Sequence, residues 1–241
     1  MRRALLLSLA IILLLPAAAN AASVKLVACV PALEPQARSA TFEARVRPLE
    51  GSERMQVHFT LQVQQGSLPG WRRVVAPGLD QWLTSHPGVS RYSYSKTVQN
   101  LAAPAAYRMV VRFRWLDTGG EALERDRATS RSCRQPDMRP DLGVTWIDVT
   151  PPLETGHAHY SVTLHNGGRS AAPAFRVALR VGEEELEPLG VPGLVAGERH
   201  VLTFAAPPCA PGAPLTATAD ALLEVDERNE DDNVLVAPCL P

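Results

Sequence analysis

An alternation of apolar and polar side chains is the feature that most limits what this chain can fold into. Every second residue is apolar across residues 55–63, and residues 107–115 repeat the pattern. Successive side chains of a β-strand point to opposite faces, so this period predicts strands with one buried face. Shorter stretches continue the pattern, and together they predict an all-β fold of two immunoglobulin-like β-sandwich domains in tandem: residues 24–30, 42–46, 91–98 and 127–133.

The first 21 residues have the composition of an export signal. Two arginines precede an apolar run over residues 4–15, and Ala19-Asn20-Ala21 fits a signal-peptidase cleavage site. No later stretch approaches the ~20 apolar residues that a membrane span requires. We therefore expect a mature chain that begins at Ala22, has no transmembrane segment and is periplasmic or secreted.

Two roles compete for Cys29. The tetrapeptide Leu26-Val27-Ala28-Cys29 reads as a lipobox, which would make Cys29 a lipid anchor, but Lys25 puts a charge next to it. The chain also contains Cys133, Cys209 and Cys239, and an even number of cysteines in an exported chain favours disulfides. We predict the pairs Cys29–Cys133 and Cys209–Cys239, because each pair then closes one domain.

Charge separates the two halves of the chain. Residues 22–138 carry 16 basic and 10 acidic side chains, whereas residues 139–241 carry 6 basic and 15 acidic. Prolines and a scarcity of apolar residues mark residues 134–140 as a linker, which predicts domains at 22–133 and 141–241. The halves either face different partners or attract each other. A nucleic-acid partner is not expected, because the chain is exported and has no basic run or stacking motif.

The stretch "LAAPAAYRMVVRFRW" at residues 101–115 resembles the penultimate strand of fibronectin type III and related immunoglobulin-like domains. The resemblance implies that Tyr107 is a tyrosine-corner residue whose hydroxyl bonds nearby backbone. Asp117-Thr118-Gly119-Gly120 predicts the hairpin turn that follows this strand. The first and last strands are near neighbours in such a sandwich, which agrees with a bond between Cys29 and Cys133.

The second half carries ordered motifs: "RPDLGVTWIDVTPP", then "YSVTLHNGGRSAAPAFRVAL", and at the end "ATADALLEVDERNEDDNVLV". In these motifs residues 139–241 resemble the CARDB family, the cell-adhesion-related immunoglobulin-like domain of bacteria. The resemblance implies a seven-stranded sandwich that serves as an accessory module on exported and surface proteins. Independently, Asn166-Gly167-Gly168 predicts a turn with positive φ angles.

An acidic turn near the C-terminus is the candidate metal site. Asp226, Glu227, Glu230 and Asp232 crowd one predicted hairpin, and oxygen ligands at this density suit Ca²⁺. The spacing is not that of an EF-hand loop. The alternative is that these side chains hydrogen-bond the backbone of the turn itself. We expect no other cofactor.

The first half contains two candidate binding surfaces. Trp71 and Trp82 lie in residues 65–90, which fit the strand pattern least; they form an aromatic platform for a sugar or peptide, or they cap the core. Arg108, Arg112 and Arg114 alternate along the second clear strand. This cationic stripe either binds an anionic glycan or lipid head group, or is a solvated strand face.

Catalytic motifs are absent from the sequence. It contains no G-x-S-x-G, H-E-x-x-H, P-loop or dinucleotide fingerprint, and two sandwiches leave little chain for a catalytic cleft. We therefore expect a non-catalytic binding or adhesion module that recognises an envelope protein or a surface glycan. One alternative is a structural or chaperone-like subunit that lends a strand edge, and a third is an accessory protein with hydrolase activity. The sequence leaves the oligomeric state open.

Overall fold

The computed structural model describes residues 21–66, 69–151 and 156–240. These ranges contain β-strands, turns and a short 3-10 helix at Pro35–Ala37, and no α-helix. The protein is therefore all-β, as the alternating pattern predicts. No helix in these ranges is long and apolar enough to cross a membrane. The predicted export signal lies outside the described residues, apart from its last residue, Ala21.

Within the described residues, the first half of the chain forms nine strands: β1 (Ala22–Val30), β2 (Ser39–Val46), β3 (Arg54–Gln65), β4 (Arg72–Val74), β5 (Trp82–Thr84), β6 (Tyr92–Gln99), β7 (Ala105–Leu116), β8 (Ala122–Thr129) and β9 (Cys133–Gln135). The second half forms eight: β10 (Leu142–Thr150), β11 (Ala158–Asn166), β12 (Phe175–Val181), β13 (Glu184–Glu185), β14 (Leu189–Val191), β15 (Arg199–Ala206), β16 (Pro214–Thr218) and β17 (Val234–Pro238).

Two antiparallel sheets enclose the core of the first half. One has the order β1-β2-β6, and the other has β4-β3-β7-β8, with β5 also on β3 and β9 also on β7. The long β3–β7 pair keeps one register from Arg54 opposite Leu116 to Gln65 opposite Ala105. Inward side chains of both sheets, such as Phe42 and Phe113, share one hydrophobic cluster. The apolar positions of the alternating pattern therefore lie in the core.

Two local predictions for the first half hold in the structure. The Tyr107 hydroxyl donates to the carbonyl oxygen of Ala102 at 3.2 Å, which is the tyrosine-corner bond. After β7, the Asp117 N–H donates to the Glu121 carbonyl at 3.0 Å, and the Glu121 N–H returns to Asp117 Oδ1 at 2.9 Å. This turn connects β7 to β8 at the predicted place.

The predicted strand over residues 127–133 is wrong. β8 begins earlier, at Ala122, and ends at Thr129, while β9 is a separate strand from Cys133. The interruption has a visible cause in Ser130, whose hydroxyl accepts the Met109 N–H at 2.9 Å and donates to the Arg131 carbonyl at 2.8 Å. The Ser130 hydroxyl thus replaces one backbone acceptor at this point, while the Ser130 N–H still donates to the Met109 carbonyl at 2.9 Å.

The second half has its own pair of sheets. Their orders are β10-β11-β15 and β13-β12-β16-β17, with β14 also on β12. Tyr160, Leu164, Phe175 and Leu179 are among the fully buried side chains between them. Among the described residues, no sheet combines strands from both halves.

The glycine turn predicted at residues 166–168 forms for a different reason than expected. Gly167 and Gly168 are not among the described residues with positive φ. A Cβ atom on Gly168 would instead lie 2.5 Å from the Cα atom of Pro140. The glycine is therefore required by the close approach of the linker backbone, not by a left-handed conformation.

Both predicted disulfide pairs are present. Cys29 in β1 is bonded to Cys133 in β9, with Cα atoms 5.4 Å apart. Cys209, before β16, is bonded to Cys239, just after β17, with Cα atoms 6.2 Å apart. Two disulfides indicate an oxidising, extracytoplasmic environment.

Candidate functional site

The outward side of the β3–β7 sheet brings the predicted arginines and tryptophans together. Trp71 directly precedes β4 and Trp82 begins β5. Both short strands pair with β3, which lies between them and β7, so the β7 arginines reach across β3 to the two rings. The guanidinium carbon of Arg108 lies 4.2 Å from the ring centre of Trp71, and that of Arg114 lies 3.9 Å from the ring centre of Trp82. Arg112 is 5.7 Å from the Trp82 ring centre. These five side chains are the arginine–tryptophan face.

The two tryptophan rings hold guanidinium groups. Each ring is half-buried and carries an arginine on one face, so that face is not open to a sugar. A guanidinium that stacks on an aromatic ring is restricted in position, while the N–H groups at its edge keep the geometry that suits carboxylate and phosphate. Trp71 and Trp82 thus position arginines, which neither sequence interpretation anticipated.

Two side chains of β3 orient these arginines further. Arg108 Nε donates to Gln62 Oε1 at 2.8 Å. An Arg112 guanidinium nitrogen lies 3.3 Å from a ring nitrogen of His58, which is buried. Burial, followed by the charge of Arg112, lowers the pKa of His58. Both causes favour the neutral imidazole, the form that can accept a hydrogen bond from the Arg112 guanidinium.

Strand β8 adds two arginines that the sequence analysis missed. Arg127 lies directly opposite Arg112, and Arg125 lies directly opposite Arg114, in the β7–β8 register. Like charges directly opposite each other destabilise a sheet. Among the residues that the structure describes, none of these four arginines forms an ion pair with a carboxylate. Four guanidinium groups therefore share one patch without a protein ion-pair partner.

A groove of about 420 Å³ opens between these arginines. It is lined by Trp82, Phe113, the four arginines of β7 and β8, and Asp126. The Asp126 carboxylate accepts the Arg127 backbone N–H at 2.6 Å, so it contributes one negative charge against four positive charges. The groove thus has the charge and the donors to take a negatively charged group.

The acidic turn between β16 and β17 does not gather its carboxylates around a common point. Asp226 Oδ1 lies 2.7 Å from an Arg139 guanidinium nitrogen. Glu230 Oε1 accepts the Glu227 N–H at 3.3 Å, and Asp232 is exposed. Across the described ranges, no three His, Cys, Asp or Glu side chains are placed to hold a metal ion. The contacts correspond to the alternative in which the turn bonds its own backbone.

Glu227 ties the acidic turn to the start of β10. Its side chain is buried and accepts hydrogen bonds from the Leu142 backbone N–H and from Asn233 Nδ2, the latter at 3.0 Å. Burial raises the pKa of Glu227 to about 7, although these two hydrogen bonds act in the opposite direction. The role that these contacts describe is structural.

The family comparison concerns the second half of the chain. The sequence model of the family described as CARDB matches residues 139–237. Among solved structures, the chain is similar to the CARDB domain of a Pyrococcus furiosus protein in complex with di-metal ions, with 30% identity and a TM-score of 0.35. The match covers 41% of this chain and 84% of that one. A search of curated proteins finds no match.

Two further structures match a longer part of the chain at lower identity. Red sea bream transglutaminase has 12% identity and a TM-score of 0.29, with 90% of this chain and 30% of that chain covered. The class 5 fimbriae chaperone CfaA has 9% identity and a TM-score of 0.28, with 90% of this chain and 99% of that chain covered.

Proposed function

Because this chain belongs to the CARDB family through residues 139–237, we propose that it is an exported, non-catalytic adhesion-related module that binds a negatively charged partner. The arginine–tryptophan face of the first half is the proposed contact surface. The proposed location is the periplasm or the outside of the cell, where an envelope protein or a surface glycan is within reach. The second half of the chain, which contains the CARDB domain, is proposed to be an accessory module to the first half, which carries this surface.

The observation that carries the proposal is the group of arginines on β7 and β8 without a protein ion-pair partner. Arg112 and Arg114 face Arg127 and Arg125 across the strands, and a bound anion would supply the countercharge that the described residues do not. Tryptophan rings and His58 already restrict the β7 arginines. Less side-chain freedom is then lost when a ligand binds.

The chemistry of the face supports binding without turnover. The histidine in contact with the arginines, His58, is buried against Arg112 and the Trp82 ring, and Asp126 Oδ1 accepts the Arg127 backbone N–H. A general base must reach the proton that it abstracts, and a buried imidazole engaged by a guanidinium is poorly placed to do so.

The test is binding of the full mature chain to envelope fragments from the organism that encodes it. We expect the triple variant R108Q/R112Q/R114Q to bind at least about tenfold more weakly, because charge-assisted hydrogen bonds to three anionic groups are lost. The matched control is R180Q, which removes an exposed strand arginine from β12 in the other half. Equal binding by the triple variant and the wild type would remove the basis of the proposal.

A second candidate function is the structural or chaperone-like subunit, and strand β17 favours it. β17 is the last strand of its sheet and has no charged residue, and its Val236 side chain is 61% exposed. Unprotected apolar edge strands are sites at which another strand can add. If this second function is correct, V236K is expected to abolish association with a protein partner and to leave binding to anionic material unchanged. Binding that is insensitive to V236K argues against it.

A further inference from the structure

The arginines of the first half continue as a line along the sheet. Arg114 with Arg125 makes one cross-strand pair, and Arg112 with Arg127 makes the next. Arg108 lies further along β7, stacked on Trp71. At a rise of about 3.4 Å per residue, the positions from Arg108 to Arg114 span roughly 20 Å. The positive charges are therefore distributed along one strand direction.

This arrangement suits a ligand with repeated negative charges. Arg112, Arg125 and Arg127 are exposed, and a single ion pair in solvent contributes little to affinity. Several such contacts made by one molecule add up, because each contact after the first forms at a high effective concentration. A polymer with charges at intervals thus gains more from this line than a small anion does.

The position of the line within the sheet disfavours an acidic peptide. β7 pairs with β3 on one side and with β8 on the other over most of its length. A free backbone edge beside the line lies at β8, the last strand of the sheet, which carries Arg125 and Arg127. Along Arg108, Arg112 and Arg114 on β7, a peptide finds no open edge and would have to bind through its side chains alone.

The outward neighbours of the arginines suit hydroxyl groups. Gln56 lies opposite Arg114 on β3 and donates from Nε2 to the Thr84 hydroxyl at 3.1 Å. Thr129 lies on β8, opposite Val110. Amides and hydroxyls can both donate to and accept from a polyhydroxylated ligand.

We infer that the arginine–tryptophan face, extended by Arg125 and Arg127, binds a linear acidic polysaccharide whose sugar carboxylates contact the arginine pairs in succession. The inference rests on the proposed function and names the chemical class of its ligand. Each carboxylate accepts N–H groups from a guanidinium, and the polymer runs along β7.

The test measures binding of the full mature chain to alginate, a linear polyuronate, in calcium-free buffer at low salt. Glucuronate at the same carboxylate concentration is the monomer, and dextran is the neutral polymer. We expect alginate to bind at least about 100-fold more tightly per carboxylate than glucuronate, and dextran not to bind. R125Q/R127Q is expected to weaken alginate binding at least about tenfold, whereas R180Q leaves it unchanged. The melting temperature of each variant verifies that it is folded.

Three results would overturn the inference. The first is glucuronate binding as tightly as alginate per carboxylate. The second is that poly-L-glutamate or vesicles containing phosphatidylglycerol bind more tightly than alginate, which would assign the face to an acidic protein or to a membrane. The third is an R125Q/R127Q variant that is folded and binds alginate like the wild type. If alginate fails while envelope binding still requires Arg108, Arg112 and Arg114, the inference fails and the proposed function stands.

Discussion

At the scale of single residues, Trp82 is expected to support binding because it holds Arg114 in position. Its ring carries Arg114 at 3.9 Å and lies 5.1 Å from the ring of His58. A cation–π contact at a partly exposed site contributes about 0.5–1 kcal/mol. We therefore expect W82L to weaken binding to envelope fragments by about two- to fivefold. W146L, which changes an exposed tryptophan in the other half, is the control, and equal binding by both variants would contradict this role for Trp82.

The raised pKa of Glu227 predicts how the free energy of unfolding depends on pH. Its pKa is about 7 in the folded protein, against an ordinary value of 4.5. Between these pH values the folded state holds a proton that the unfolded state has released. The free energy of unfolding therefore falls as pH rises through this window, by at most about 1.4 kcal/mol per pH unit from this group.

In the variant E227Q this contribution to the pH dependence disappears. Its overall stability is lower, because an amide cannot accept both hydrogen bonds that the carboxyl group accepts from Leu142 and Asn233. Urea unfolding at several values between about pH 5 and about pH 8 measures both effects. E185Q, which changes an exposed glutamate of β13 away from this turn, is the control. A wild-type curve that rises across the window would contradict the raised pKa.

At the scale of elements, β10 contains a bulge that decides where Trp146 points. The β10–β11 register shifts between Val144 and Trp146, so that Thr145 is the extra residue. Continued alternation from Leu142 and Val144 would direct Trp146 inward. The bulge instead leaves Trp146 64% exposed and buries Ile147.

Two substitutions in β10 test the bulge. W146T should change the free energy of unfolding by less than about 0.5 kcal/mol, as expected for a surface side chain. I147A should cost about 2–5 kcal/mol, because it removes a buried side chain. Urea unfolding curves of both variants give the comparison. Similar costs for the two would mean that Trp146 is packed in solution.

The strands that could be predicted from the sequence are long and bury one face, so that apolar and polar residues alternate along them. β3 and β7 bury every second side chain over most of their length, and their period was visible. β4 and β5 have three residues each and exist because they pair with β3, a contact that no local pattern encodes. β8 is exposed on both faces along most of its length, so it lacks the apolar period, and Arg125 and Arg127 were missed with it.

The sequence predicts several residues of the candidate site but not their arrangement. Arg108, Arg112 and Arg114 were identified from their alternation, and Trp71 and Trp82 from their unusual segment. Their stacking depends on pairs far apart in the chain, so the sequence could not show that they form one surface. Glu227 shows a limit of another kind, because the run of acidic residues could not show that this one carboxyl group is buried and accepts the Leu142 backbone N–H.

At the scale of the whole molecule, each disulfide belongs to one half. Cys29–Cys133 spans 104 residues and Cys209–Cys239 spans 30. The chain-entropy model then predicts a loss of about 4–5 kcal/mol for C29S/C133S and about 3–4 kcal/mol for C209S/C239S. Hydrogen exchange should show faster exchange only in the half that lost its disulfide. Faster exchange in both halves of either variant would mean that they unfold as one unit.

At the same scale, the charge of the molecule is divided between its halves, with the excess of basic residues in the first half. Residues 22–138 carry 16 basic and 10 acidic side chains. Ions in solution screen exposed charges, so binding through such charges weakens as salt concentration rises. The salt dependence of binding therefore distinguishes the two candidate contacts. Added salt weakens a contact through the arginines, and it does not weaken an apolar contact at β17.

The measurement that tests the central claim most directly is the salt dependence of binding to native envelope fragments, for the wild type and for R108Q/R112Q/R114Q. The account predicts that wild-type affinity falls steeply as salt rises, and that the triple variant binds weakly with a much shallower dependence. The same slope for both proteins, or wild-type binding that salt does not weaken, would contradict the claim that these arginines bind a negatively charged partner.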